Sequence, residues 1–136
     1  MANALYTKAK QGLIDGSIDL DTDTIKAVLV DSAFYTPNLA TDQFLSSISA
    51  AGRVATSGAV SGISVTDGVF DAADITISAV TGATFEYIVL IKDTGAEATS
   101  LLILLIDTAT GLPCTPGGAD ISIQWANDAN RIFKLN

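Results

Sequence analysis

Three aspartates alternate in Asp19-Leu20-Asp21-Thr22-Asp23, the spacing with which a calcium-binding loop opens. Such a loop also needs a glycine at its sixth position to turn the chain and a glutamate at its twelfth to grip the ion with both oxygens. Those positions hold Thr24 and Val30, so the run reads as a solvated turn ahead of a strand. A second carboxylate group, Asp67, Asp71 and Asp74, would suit general acid and base work only if one member were desolvated enough to keep its proton near neutral pH. Its surroundings, Asp67-Gly68-Val69-Phe70-Asp71-Ala72-Ala73-Asp74, offer turn and strand-flanking positions instead. Cys114 lies between Pro113 and Thr115-Pro116, and the chain has no histidine, so the thiol has no imidazole base. Ser57, Ser61 and Ser64 lack a base for the same reason, and the glycines near them form neither a nucleophile elbow nor a phosphate loop. These residue types predict no catalytic residue, no cofactor-binding residue and no metal ligand; the protein is not read as an enzyme.

Binding is the remaining kind of work. Tyr35, Tyr87 and Trp125 could stack on a sugar, but aromatic residues are only 7% of the chain, and a Trp in an alternating strand most often faces the core. Arg53, Lys92, Arg131 and Lys134 are dispersed, which fits surface ion pairing; the sharper reading is contact with an acidic patch on a partner. Lys and Arg total 7 against 15 Asp and Glu, a net charge of -8 that repels phosphate backbones and anionic lipid, so neither a nucleic acid nor a membrane is expected as partner. The opening Met1-Ala2-Asn3-Ala4-Leu5-Tyr6 has no basic stretch followed by an apolar one, which predicts no secretory signal. A single cysteine fits synthesis and folding in a reducing cytoplasm.

The elements that must position these residues follow from periodicity. With 136 residues, 49% of them hydrophobic and 16% charged, the chain predicts one β-rich domain over residues 1–136 with a core of its own. Leu5, Ala9 and Leu13 recur at helical spacing between Asn3, a plausible N-cap, and Gly16, so a helix is expected over about residues 3–15. Beyond it, short Val, Ile and Thr-rich runs are punctuated by Gly, Asp, Asn and Pro. Strands are predicted at 25–31, 59–66, 69–80, 85–93, 101–108, 121–125 and 131–135, with a helical turn at 42–48. The fold class is mainly β: an antiparallel β-sandwich or jelly-roll-like barrel with one N-terminal α-helix.

Two strands stand out. Phe85-Glu86-Tyr87-Ile88-Val89-Leu90-Ile91 and Leu101-Leu102-Ile103-Leu104-Leu105-Ile106 are apolar on both faces over most of their length and are joined by a polar loop, as in an antiparallel hairpin. A sheet would cover one face, and the helix or a neighbouring subunit the other. The run from Leu101 to Ile106 has no charge and no proline and would aggregate as an exposed edge, so it is expected as a central strand. The hairpin carries more apolar surface than so small a domain readily hides, which points to association. The last strand could complete its own sheet or be lent to a neighbour, with the first favoured.

Further phrases are distinctive as wording: Ile25-Lys26-Ala27-Val28-Leu29-Val30-Asp31, Arg53-Val54-Ala55-Thr56-Ser57-Gly58, Val69-Phe70-Asp71-Ala72-Ala73-Asp74, Ile106-Asp107-Thr108-Ala109-Thr110-Gly111-Leu112-Pro113, Gly117-Gly118-Ala119-Asp120-Ile121 and Asn130-Arg131-Ile132-Phe133-Lys134-Leu135. Together they resemble a family of small tailed-bacteriophage virion structural proteins, over nearly the whole chain. The resemblance brings no catalytic motif. It implies a head decoration, or cement, protein made in the bacterial host cytoplasm and placed on the capsid exterior. The partners it implies are the major capsid protein and copies of itself, as a homotrimer, that stabilise the expanded head. The alternatives are a tail or head-tail junction component, or a carbohydrate-binding module using Tyr35 or Trp125.

Overall fold

The computed structural model describes residues 3–129 and 131–135, so the Met1-Ala2 opening and Asn130 lie outside the described residues. The elements are β1 (Ala4–Leu5), α1 (Thr7–Asp15), β2 (Ile25–Val30), 3₁₀ turns at Leu45–Ser47 and Ala50–Gly52, β3 (Arg53–Thr56), β4 (Ser64–Thr66), β5 (Val69–Asp71), β6 (Ile75–Ile77), β7 (Tyr87–Lys92), β8 (Leu101–Ile106), β9 (Ile121–Ile123) and β10 (Phe133–Lys134). The chain is mainly β, with antiparallel sheets and one N-terminal helix in a sandwich-like arrangement. A five-stranded sheet has the order β1-β8-β7-β2-β3, a three-stranded one the order β10-β5-β4, and β6 pairs with β9. One cluster of buried side chains draws on all three sheets and on α1.

The β7–β8 hairpin forms with Ile88 opposite Ile106 and Leu90 opposite Leu104, and a bulge then shifts the register before Ile91 meets Leu102. Ile88 through Ile91 and Leu102 through Ile106 are all buried, none more than 9% exposed. This corrects the expectation of surplus apolar surface: the chain wraps both faces of the hairpin by itself. The face bearing Ile88, Leu104 and Ile106 looks towards Ile123 of β9 and towards Ile132 and Phe133. On the other face Tyr87 meets the ring of Tyr35 edge-on, with centroids 6.4 Å apart. Tyr35 comes from the long crossover between β2 and β3, which also buries Ile48.

The outer edge of β8 is closed as well. β8 lies between β1 and β7, a central strand and not an edge, as its composition predicts. Ala4 and Leu5 pair with Leu105 and Leu104, the Tyr6 amide donates to Ile103 O, and the Leu102 amide donates to Gln43 O. Phe44 bridges Leu101. An apolar strand without charge or proline is thereby left with no long bare edge, the arrangement that blocks edge-to-edge association.

This closure explains why the helix is shorter than its sequence pattern. It begins at Thr7 rather than Asn3, because residues 4 and 5 are taken by the sheet. Asn3 is no N-cap: its side-chain amide donates to Thr108 O and its carbonyl accepts from the Asp107 and Thr108 amides. Gly16 does end the helix, with φ of 84°, which a residue bearing a Cβ adopts only at a cost.

Other boundaries also move. The strand expected over 69–80 is two, β5 and β6, separated where the Ala73 amide bonds Ser61 O and Asp74 accepts from the Trp125 amide. Only Ser64–Thr66 of the 59–66 run is strand, because Val60 donates instead to Ile25 O. Asp67-Gly68 makes the tight β4–β5 turn with positive φ at both residues, the backbone that an Asp-Gly pair favours. Arg53–Thr56, unread as a strand, pairs with Val28–Val30. The final strand pairs within its own chain, Phe133 opposite Phe70.

A buried polar relay joins the helix start to the crossover. Tyr6 and Tyr35 hydroxyls lie 2.9 Å apart, and Tyr35 donates to Asp42 Oδ2 at 2.7 Å. Tyr6 therefore donates to Tyr35. Burial raises both phenols above the usual tyrosine range, so both stay protonated. Tyr35→Phe strands the Tyr6 hydroxyl without an acceptor and is expected to cost about 1–3 kcal/mol, whereas Tyr6→Phe loses one bond and leaves Tyr35 donating to Asp42, at about 0.5–1.5 kcal/mol. Urea unfolding of the two variants checks this order, and a larger loss in Tyr6→Phe contradicts it.

Candidate functional site

Of the residues whose types could do chemistry, Asp19, Asp23, Asp74 and Ser57 hold backbone with their side chains. Asp19 accepts from the Asp21 amide, and Asp23 accepts from the Asp19 amide at 2.7 Å while pairing with Lys92 at 3.2 Å. The Asp19 and Asp23 carboxylates thus close a turn, to which Asp21 contributes its backbone amide. Asp74 receives the Trp125 amide at 3.0 Å, Asp71 faces Arg131 at 3.8 Å, and Asp67 sits in its hairpin turn, so the second carboxylate group is dispersed over three separate tasks. Cys114 exchanges backbone hydrogen bonds with Phe85. Ser57 is buried and replaces a ladder contact, accepting the Ala27 amide on its hydroxyl and donating to Gly58 O.

Lys26, Arg53, Lys92 and Arg131 form ion pairs, and Lys10, Arg131 and Lys134 line one cleft. Arg53 holds the 3₁₀ turn before β3: Nε and Nη2 donate to Ile48 O, Nη2 also donates to Leu45 O, and Nη2 pairs with Glu97 at 2.6 Å. Lys92 donates to Ser17 O. Lys26 meets Asp93 at 2.7 Å across the base of the β7–β8 loop.

Of the aromatic residues considered for sugar stacking, Tyr35 is 5% exposed, so it offers no platform. Trp125 is half-buried, its indole N–H donating to Ala73 O at 3.1 Å, and its ring lines the wall of a cleft of ≈ 550 Å³. That cleft gathers Lys10, Arg131 and Lys134 around Trp125 and Phe133, and among the described residues no carboxylate lines it. Three of the chain's seven Lys and Arg thus line one concavity on an acidic protein.

A second groove, of ≈ 380 Å³, is also bordered by Phe133 of β10. Leu13, Val65, Phe70, Phe133 and Leu135 make it apolar, while Asp19 and Asp21 are its only charged lining residues among those described. Phe133 borders both concavities. Ile14, one helical turn after Lys10 and next to Leu13, is 88% exposed; Val65 and Leu135 are 45% and 49% exposed. Sequence reasoning missed both concavities, since their walls come from residues as far apart as Lys10 and Lys134. The faint signal was Arg131-Ile132-Phe133-Lys134-Leu135, where two basic residues are set among apolar ones.

No protein-family model matches the chain, and no curated protein matches it closely enough to count as a relative.

The Lys26–Asp93 pair carries a pH dependence. The Lys26 hydrogen bond, with help from the Gly95 amide, holds the Asp93 carboxyl below the usual aspartate range. A carboxyl depressed by folding contributes stability above its unfolded pKa of about 4, and that contribution is lost as pH falls through the lower folded value. Lys26→Met is therefore expected to lower the urea midpoint near neutral pH and to differ little from the parent at about pH 2. A gap that persists in acid would assign the effect to lost packing by the lysine stem instead.

Proposed function

We propose that this chain is a non-enzymatic structural protein of a tailed-phage virion, a decoration or cement protein that docks on the outer capsid lattice and stabilises the expanded head. The observation that carries this reading is the contrast between its two kinds of surface. The Asp19, Asp23, Asp74 and Ser57 side chains anchor backbone, whereas two concavities that meet at Phe133 are lined by apolar and charged groups of the sort that hold another protein. The resemblance over nearly the whole chain points the same way. An acidic exterior component is also kept off DNA during packaging, with a net charge of -8.

The mechanism is linkage. Contacts that exist only on the assembled, expanded shell stabilise that shell by their binding free energy, and no bond is made or broken. The resemblance implies trimers at points of three-fold or quasi-three-fold symmetry, where neighbouring capsid subunits meet. A tail or head-tail junction component is the second reading, and copy number separates the two.

Cryo-electron microscopy of intact particles tests the proposal. On the order of hundreds of copies over the head surface is the expected result, and heads lacking the protein should break at lower temperature than decorated ones. A few dozen copies or fewer, at the tail or portal, favours the second reading. Absence from purified particles removes both.

A further inference from the structure

We infer that the cleft around Trp125 and Phe133 receives an extended, acidic segment of a capsid subunit. For the identity of that partner the inference rests on the proposed function; the chemistry of the segment follows from the cleft alone. The first ground is charge. Lys10, Arg131 and Lys134 line the cleft and, among the described residues, no carboxylate does. Arg131 is already engaged by Asp71 and by the Asn127 side chain, but neither Lys10 nor Lys134 has a carboxylate within ion-pair distance among the described residues. On a chain with 15 Asp and Glu against 7 Lys and Arg, two unanswered ammonium groups in one concavity call for carboxylates from outside.

The second ground is shape and backbone. A concavity takes a slender, convex occupant, and the strands at its border favour an extended one. Ala4 and Leu5 of β1 and Phe133 and Lys134 of β10 line the cleft, and each of these strands ends its sheet, with a paired strand on one side only. A strand at the end of a sheet offers backbone N–H and C=O groups to an added strand; a helix, whose own groups are paired internally, cannot use them. Carboxylates of the segment answer the two lysines, and its apolar side chains pack on Trp125 and Phe133, both only partly covered by the fold.

The same cations would attract a nucleic acid, and the net charge of -8 decides against it. A duplex carries a charge about every 1.7 Å along its axis, so most of its phosphates would lie outside the cleft against an acidic surface. A short segment brings only carboxylates that touch the lysines, while acidic groups of the protein further than roughly 8 Å away are screened at about 0.15 M salt.

Trp125 is the chain's single tryptophan, so its fluorescence reports on the cleft. Titration of the full chain with a short synthetic peptide of alternating glutamate and valine tests the inference, with circular dichroism to verify that each variant is folded. A saturable change in emission is expected. Lys10→Glu and Lys134→Glu should each weaken binding about fivefold, and the two together should remove it, whereas Lys8→Glu, the same change of charge on α1 but outside the cleft, should leave affinity within about twofold. Added to particles that lack the protein, the doubly substituted chain should occupy fewer sites than the parent. A parent that leaves the peptide unbound overturns the inference, as does binding that Lys10→Glu and Lys134→Glu do not weaken; if both chains still decorate particles equally, the proposed function stands. A thymidine oligonucleotide bound at the cleft more tightly than the peptide also overturns it, in favour of a nucleic acid. Sedimentation showing that the double substitution breaks an oligomer of the parent, with no peptide bound, assigns the cleft to a contact between copies and overturns it as well. Peptide binding at the cleft by a protein absent from purified particles removes the capsid subunit and the proposed function together, and leaves an acidic segment of another protein as the occupant.

Discussion

The outer edge of Leu101–Ile106 is the constraint around which the remaining architecture is arranged. Six apolar residues in a row bury well, but as an open edge they would template pairing with any extended chain. The fold answers with short pieces rather than a full strand: Ala4 to Tyr6 against one part of the edge, Gln43 and Phe44 against the other. Those pieces fix where α1 starts and where the β2–β3 crossover must run. The crossover in turn delivers Tyr35 to the face that bears Tyr87 and buries Ile48, and the Tyr6–Tyr35–Asp42 relay joins it to the start of α1.

Much of this was legible because periodicity reports burial. The two-sided apolar runs at 88–91 and 101–106 announced a buried antiparallel hairpin, Gly16 announced the helix stop, and Asp67-Gly68 announced a tight turn. What failed did so where tertiary demand outweighed local pattern. Asn3 has the chemistry of a helix cap, yet its amide is worth more to the Asp107–Thr108 backbone, where it satisfies three groups at once. The 69–80 run has the composition of one strand, yet Asp74 breaks it to hold Trp125. Arg53–Thr56 is too short and too mixed in character to stand out.

The candidate surfaces were harder still. A catalytic site can betray itself through residue types that chemistry requires, but a docking face is built of ordinary Lys, Asp, Leu and Phe whose meaning comes from juxtaposition. Lys10 and Lys134 are neighbours of one cleft only because β10 returns to lie beside β5 and α1 folds back along β8. The apolar excess expected of the hairpin is covered, and the large apolar side chains exposed among the described residues are instead Ile14, Phe34, Val65 and Leu135.

The pairing of Ala4 with Leu105 also orders events in time. On a ribosome the plug for this edge emerges about a hundred residues before the edge itself, so Ala4 and Leu5 must wait for their partners until Leu104 and Leu105 have been synthesised. Sheet completion is then a late and non-local step, and a chain stalled or cleaved before residue 106 would hold a ready-made plug with nothing to close.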